Sequence, residues 1–417
     1  MDGVPFISQN PIPAGGSYDY DFPLVHSGTN WMHSHYGLQE QYLLAAPLVI
    51  WSPEELAIAE QQFVIELSDF SFTPAHKILE NLKAGQMGDS SSSSMMNMNM
   101  GSTSAKPVEL ITQQWDSVNQ RFFKTTIQGE IPEYDVSYDA LLANRKTIDN
   151  PEILNVQGGK SVLLRIIAAT SMTNVFIDTG KLETTVMAVD GNAVVAVKGN
   201  FFQLSNAQRI DLRVTIPKNG GAFPIIAQGE GTTLICGVVL ATQGASIPKL
   251  PTSAPLKTAS LNSLQDTYLK AKNPLAKRPV DRKFDIVLDG IMTGYRWTIN
   301  GSSYPNRNSL NVKTGQRVAM RFQNKNKMGH PMHLHGHVFE VVEVGGVPIS
   351  GPVRDTVFVP PLSDVVVEFD ATNPGIWAMH CHLLYHATNG MFTVLKYEVA
   401  NTKYWQPEQL EKEILTL

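Results

Sequence analysis

Imidazole and thiol groups are concentrated in three short stretches of this sequence. His330-Pro331-Met332-His333-Leu334-His335-Gly336-His337 is the richest, His380-Cys381-His382-Leu383-Leu384-Tyr385-His386, followed by Met391, is the second, and His33-Ser34-His35 is the third. Of the 11 histidines only His26 and His76 lie outside them. Successive side chains of a strand point to opposite faces, so on a strand His380 and His382 share one face and Cys381 takes the other. A thiolate with two imidazoles and a weak thioether is the donor set of a mononuclear blue-copper centre. Cys381, His386 and Met391 offer three of those donors, and His330 could supply the second imidazole from a neighbouring strand. The pairs His33/His35, His333/His335 and His380/His382 suit a multinuclear copper cluster between two domains, since zinc sites seldom need so many histidines. The segment His380-Cys381-His382 would then join the two centres covalently. Ser34, which stands where Cys381 stands in the related stretch, has no soft sulfur, so one mononuclear site is expected.

The elements that must position these groups read as strands. Tyr18 to Leu24, Ala46 to Trp51, Ser161 to Ala168, Phe284 to Leu288, Gln316 to Phe322, Val338 to Val344 and Val365 to Phe369 are β-branched or aromatic runs bounded by turn residues, a spacing that predicts β-sandwiches. Helical periodicity is confined to Thr73 to Leu82, Asp135 to Leu142 and Pro407 to Leu415, none of which holds a cluster. An echo links the ends of the chain. Gly28, Trp31 and His33-Ser34-His35 correspond to Gly375, Trp377 and His380-Cys381-His382, which suggests two related domains. Trp31 and Trp377 read as packing behind the histidines, and Glu40 and Asp355 as candidate partners of ligand imidazoles. Cys236 reads as a buried core thiol.

Composition narrows the class. The chain has 417 residues, 43% hydrophobic and 17% charged, with a net charge of -5, so a folded core is expected and a basic nucleic-acid footprint is not. No apolar run reaches the ~18 residues of a membrane span, and 2 cysteines exclude a disulfide scaffold. The stretch 246–281 reads as a linker. Met87 to Ser104 is a low-complexity Met/Ser segment whose thioethers favour Cu(I). The opening residues lack the basic and apolar stretches of a signal peptide and read as a loop entering a domain already begun.

HPMHLHGH and HCHLLYHATNGM resemble the third and fourth copper motifs of the multicopper oxidase family, and TNWMHSHYGLQEQ resembles its second. The bacterial copper-resistance and laccase-like branch is the nearest likeness. MAVDGNAV (Met187 to Val194) and AQRIDLRV (Ala207 to Val214) extend it through the middle of the chain. The resemblance implies an all-β chain of cupredoxin-like Greek-key β-sandwich domains with the first incomplete: 1–52, 53–245, the linker 246–281, and 282–417. It implies a type 1 copper on His330, Cys381, His386 and axial Met391, a type 2 copper on His333, and a type 3 pair on His33, His35, His335, His380 and His382. It implies an oxidase that takes single electrons from phenols or Cu(I) and reduces dioxygen to water, with Asp2 as the acid delivering protons near the cluster and Cys381, His380 and His382 carrying the electrons. The parent protein is expected to be periplasmic or secreted. The family's first motif, His-x-His-Gly, is not found, so an N-terminal truncation is expected, and with it the alternative of a copper-binding or copper-tolerance protein without oxidase activity. Ala387 stands where some members carry an acid.

Overall fold

Apolar alternation decides which face of each strand is covered. Along Asp364–Asp370 every second residue, Val365, Val367 and Phe369, is fully buried, and the residues between are half-exposed. This is the period of a strand covering a core on one side. The computed structural model describes residues 2–58, 60–85, 106–291 and 293–398. The Met87 to Ser104 segment and the expected helix Pro407 to Leu415 lie outside them.

Three bodies of sheet follow one another. Gly28–His33 pairs antiparallel with Ala45–Ile50 as a two-stranded ribbon. An eight-stranded sheet in which Arg209–Thr215, Ser161–Ala168 and Gln61–Phe70 lie side by side faces a five-stranded sheet built on Ala222–Gly229 and Ile235–Thr242. Ile65, Leu164 and Leu212 from the first meet Ile225, Val238 and Leu240 from the second in one core. The last body repeats the plan: a seven-stranded sheet containing Arg317–Asn324 and Asp364–Asp370 covers a five-stranded sheet containing His330–Leu334, Ile376–Cys381 and Phe392–Tyr397. The stretch expected as a linker carries the short helix Leu264–Tyr268 and buries Leu261 and Leu269, so it is packed against the sheets.

Two expectations are corrected. Tyr18 to Leu24 forms no strand; Tyr20 and Leu24 are exposed, and Tyr20 packs on Tyr18 rather than on a partner strand. Asp135 to Leu142 is not a helix. Its end, Ala140–Ala143, is instead an edge strand on Gln61–Phe70, where Leu141 and Ala143 gain more burial than one isolated helical turn would give. The turn that follows Cys381 carries His386 on the helix Leu384–Thr388, five residues long and too short to show a period. The expected helix Thr73 to Leu82 is present as Ala75–Lys83, with Ala75, Ile78 and Leu82 buried along one face.

A buried ion network ties the ribbon to the eight-stranded sheet. Arg165, with no exposed surface, donates to Asp211 (2.9 Å), Thr29 Oγ1 (2.9 Å), Glu55 (2.7 Å) and Gln62 (3.0 Å). Removing one partner of such a group strands the other charge in a dry site. Arg165→Ala is expected to cost about 3–5 kcal/mol, read as a lowered urea midpoint; a loss below about 1 kcal/mol would show the network to be dispensable.

Candidate metal centres

The strand Ile376–Cys381 pairs with His330–Leu334 so that Met332 faces Cys381 and His333 faces His380. The alternation expected of His380-Cys381-His382 then sorts the donors. Met379 and Cys381 turn into the core of the last sandwich. The outer face, at Ala378, is covered by Val4 and Ile7 of the opening loop, which brings Asp2 to the histidines.

On the inner side Cys381 Sγ lies 3.6 Å from His330 Nδ1 and 3.8 Å from His386 Nδ1, and the two nitrogens are 3.2 Å apart. All three residues are fully buried. Met391 is buried beside them; its backbone carbonyl accepts from Cys381 N (3.0 Å) and its N–H donates to the His386 carbonyl (3.0 Å). The far nitrogens are committed: His330 Nε2 meets Asn326 Oδ1 at 3.0 Å and His386 Nε2 meets Asp135 Oδ2 at 2.8 Å. With Nε2 protonated toward an oxygen, each Nδ1 presents a lone pair, and the two lone pairs face each other. That contact is repulsive unless a cation lies among the three donors. Burial pushes the Cys381 thiol up and, with His386 beside it, holds His330 neutral. Neutral imidazoles and a thiol waiting to lose its proton to a metal are the fit a soft cation requires.

On the outer side six imidazoles converge. His335 Nε2 is 3.0 Å from His380 Nε2 and 3.2 Å from His35 Nε2, while His382 Nε2 is 3.1 Å from His33 Nε2. The His333 ring lies 4.6 Å from that of His335 and 5.8 Å from those of His380 and His382. Three of the opposite nitrogens again find oxygen: His335 Nδ1 meets Asp2 at 2.6 Å, His333 Nδ1 the Asp355 carbonyl at 2.9 Å and His380 Nδ1 the Cys381 carbonyl at 2.9 Å, while His33 Nδ1 lies 3.0 Å from the Glu40 carboxylate and His382 Nδ1 3.9 Å from it, neither in hydrogen-bonding geometry. Such partners fix the tautomer and aim Nε2 at a metal. Burial, then the neighbouring imidazoles, hold His35, His380 and His382 well below the usual histidine range, and His333 falls to about 3. Burial alone would raise the Asp2 carboxyl; His335 and the Ser8 hydroxyl (2.7 Å) outweigh it and keep it ionised.

Every residue proposed from the sequence as a ligand therefore lies in one of two neighbouring groups. His26 and His76 join neither group, and His337 is occupied by the Tyr397 hydroxyl (2.7 Å) and the His335 carbonyl (3.0 Å). Glu40 and Asp355 do lie against clustered histidines, His33 and His333. Arg209 grips Asp355 with two bonds (2.7 and 2.6 Å) and holds the Thr29 carbonyl (2.9 Å), tying His333 to the His33 strand. Asp135 and Asn326 carry no local signal in the sequence. Asp135 is 251 positions from His386, and only the fold joins them.

Comparison with known proteins shows the family. The multicopper oxidase family profiles match residues 1–55, 61–247 and 278–401. The chain is 31% identical over 398 residues to the multicopper oxidase MmcO of Mycobacterium tuberculosis, covering 95% of this chain and 74% of that one. It is 25% identical to copper resistance protein A of Escherichia coli, covering 95% and 82%. The crystal structure of Fet3p, a multicopper oxidase that functions in iron import, superposes with a TM-score of 0.75 at 19% identity over 100% of this chain and 82% of that one. That of the laccase from Botrytis aclada gives 0.70 at 20% identity, over 100% and 78%. The sandwiches are cupredoxin-like, as in these structures. On this similarity and this donor chemistry, the chain belongs to the multicopper oxidase family of copper-dependent oxidoreductases.

Proposed function

We propose that the chain accepts single electrons from a small reductant, a phenol or Cu(I), at the Cys381 centre and passes them to dioxygen, reduced to water, at the histidine cluster. The observation that carries this reading is the pair of buried donor groups in which ring nitrogens face one another at 3.0–3.2 Å, with the far nitrogens of His330, His386, His335 and His380 held by oxygens. Here His330, Cys381, His386 and Met391 hold the type 1 copper, His333 the type 2, and His33, His35, His335, His380 and His382 the type 3 pair. Bound copper supplies the one-electron redox change and the affinity for dioxygen. The remaining work belongs to the chain. His380-Cys381-His382 joins the two donor groups covalently, Asp2 faces both His335 and solvent with 21% of its side chain exposed and so can relay protons, and the buried walls exclude bulk water. A small cleft lined by Asp135, Met172, Glu230, Met328 and Leu383 lies beside the partner of His386, on the side from which we take the reductant to approach. The Cys381 centre falls in 282–417 and the cluster between that part and 1–52. No helix among the described residues is long and apolar enough to cross a membrane, and the resemblance supports a periplasmic or secreted parent protein.

A second reading, copper binding without dioxygen reduction, is favoured by one observation. Among the described residues, His35, His335 and His380 form a complete trio, but His33 and His382 belong to no such trio. Copper content after reconstitution with Cu(I) and reoxidation separates the two. About four ions per chain, with dioxygen uptake on a phenol or Cu(I), supports the oxidase. About one ion, blue and without dioxygen uptake, overturns it in favour of the binder.

A further inference from the structure

Tyr295 is a fully buried tyrosine with φ of 49°, a left-handed backbone that bulky side chains rarely adopt. This turn sends two aromatic residues to the same place. The Tyr295 hydroxyl donates to Asp135 Oδ2. Trp297 stacks on the His386 ring, with centroids 3.7 Å apart and planes 24° apart, and meets His330 edge-on at 5.3 Å. Gly290 makes room for that indole, since a Cβ there would come within 2.5 Å of it.

Asp135 is the hinge of the arrangement. Its Oδ2 accepts from both Tyr295 and His386 Nε2 (2.8 Å), while its Oδ1 is buried without a hydrogen-bond partner. Two donors therefore share one oxygen. A carboxylate accepting from the far N–H of a ligand imidazole makes that imidazole a stronger donor to its metal. A second donor on the same oxygen draws off part of that density and weakens the effect.

We propose that Tyr295 is a positioning residue that tunes the Cys381 centre, its hydroxyl moderating the pull of Asp135 on His386 and thereby keeping the bound copper easier to reduce. The inference rests on the reading that His330, Cys381 and His386 bind copper. Removing the hydroxyl frees Asp135 to pull harder on the His386 N–H. His386 then donates more strongly, the oxidised ion gains more than the reduced one, and the potential falls.

The test is a redox titration of the blue absorption in the copper-loaded protein and its Tyr295→Phe variant. Phenylalanine keeps the ring and removes only the hydroxyl, so the fold is retained, which thermal unfolding checks. The expected result is a blue band in both and an oxidised-to-reduced ratio raised about tenfold at fixed applied potential, a fall of about 59 mV for one electron. In an Asp135→Asn background the same change is expected to move the ratio less than about twofold. A blue wild type with an unchanged or raised potential in Tyr295→Phe overturns the inference alone, as does an equal shift in the Asp135→Asn background. A wild type that binds copper without a blue band overturns the copper reading and the inference with it.

Discussion

Cys381→Ser abolishes the blue colour of the copper-loaded protein and with it all substrate-driven dioxygen uptake. Cys381 Sγ is the thiol within reach of both His330 Nδ1 and His386 Nδ1, at 3.6 and 3.8 Å, and the intense colour of such a site belongs to its copper–thiolate bond. A serine hydroxyl is hard, far less acidic than a thiol, and cannot substitute as an anionic ligand at neutral pH. The exchange is close in size, so the buried strand should keep its place, held by the Cys381 N–H bond to the Met391 carbonyl (3.0 Å) and by the pairing of Met332 with Cys381. The unsatisfied hydroxyl costs about 1–3 kcal/mol, small enough to leave a folded protein. Absorption and paramagnetic resonance spectra check the outcome. Colour that persists in the serine variant would mean that the blue centre, and the entry point for electrons, lies elsewhere.

The residues that this prediction uses are legible in the amino-acid sequence, because one rule of local geometry suffices for them. The strand period of two places Cys381 opposite His380 and His382, and a segment this short cannot escape it. The strands Ser161–Ala168 and Asp364–Asp370 are legible for another local reason, as β-branched and apolar runs bounded by turn residues. What the sequence leaves open is long-range pairing. Nothing in the run from Asp135 to Leu142 announces that its aspartate meets His386 and Tyr295, or that its leucines complete a sheet edge on Gln61–Phe70. Arg209 sits in a readable strand, yet its hold on Asp355 and on the Thr29 carbonyl depends on how three sheets meet. Glu40 and Asp355 could be named as carboxylates near histidines, but Glu40 approaches His33 with its side chain while Asp355 offers its backbone carbonyl to His333, a distinction that composition does not carry. Tyr18 to Leu24 marks the converse failure, since aromatic and β-branched content predicts a strand only where a partner strand exists.

His382→Ala leaves the blue centre intact and removes dioxygen reduction. His382 lies one residue from Cys381 but on the opposite side of the chain, with its Nε2 3.1 Å from His33 Nε2 and its ring facing Trp31 at 5.5 Å. Its backbone does not depend on the imidazole: the His382 N–H donates to the Pro331 carbonyl at 2.7 Å, and that bond keeps Cys381 in register. The Cys381, His330 and His386 donors are therefore undisturbed. On the outer side the loss is severe, because among the described residues His382 and His33 form a pair outside the His35, His335 and His380 trio, and removing one leaves a single nitrogen. Outer-sphere partners of a metal ligand are worth about 10–100-fold in affinity or activity, and a ligand from an already sparse set is worth more. The expected result is a blue protein that accepts an electron from substrate at an ordinary rate and is reoxidised by dioxygen at least about a hundred-fold more slowly. Stopped-flow reduction followed by reoxidation separates the two half-reactions. Loss of colour together with reoxidation would mean that the two donor groups fold as one unit, and undiminished reoxidation would remove His382 from the dioxygen site.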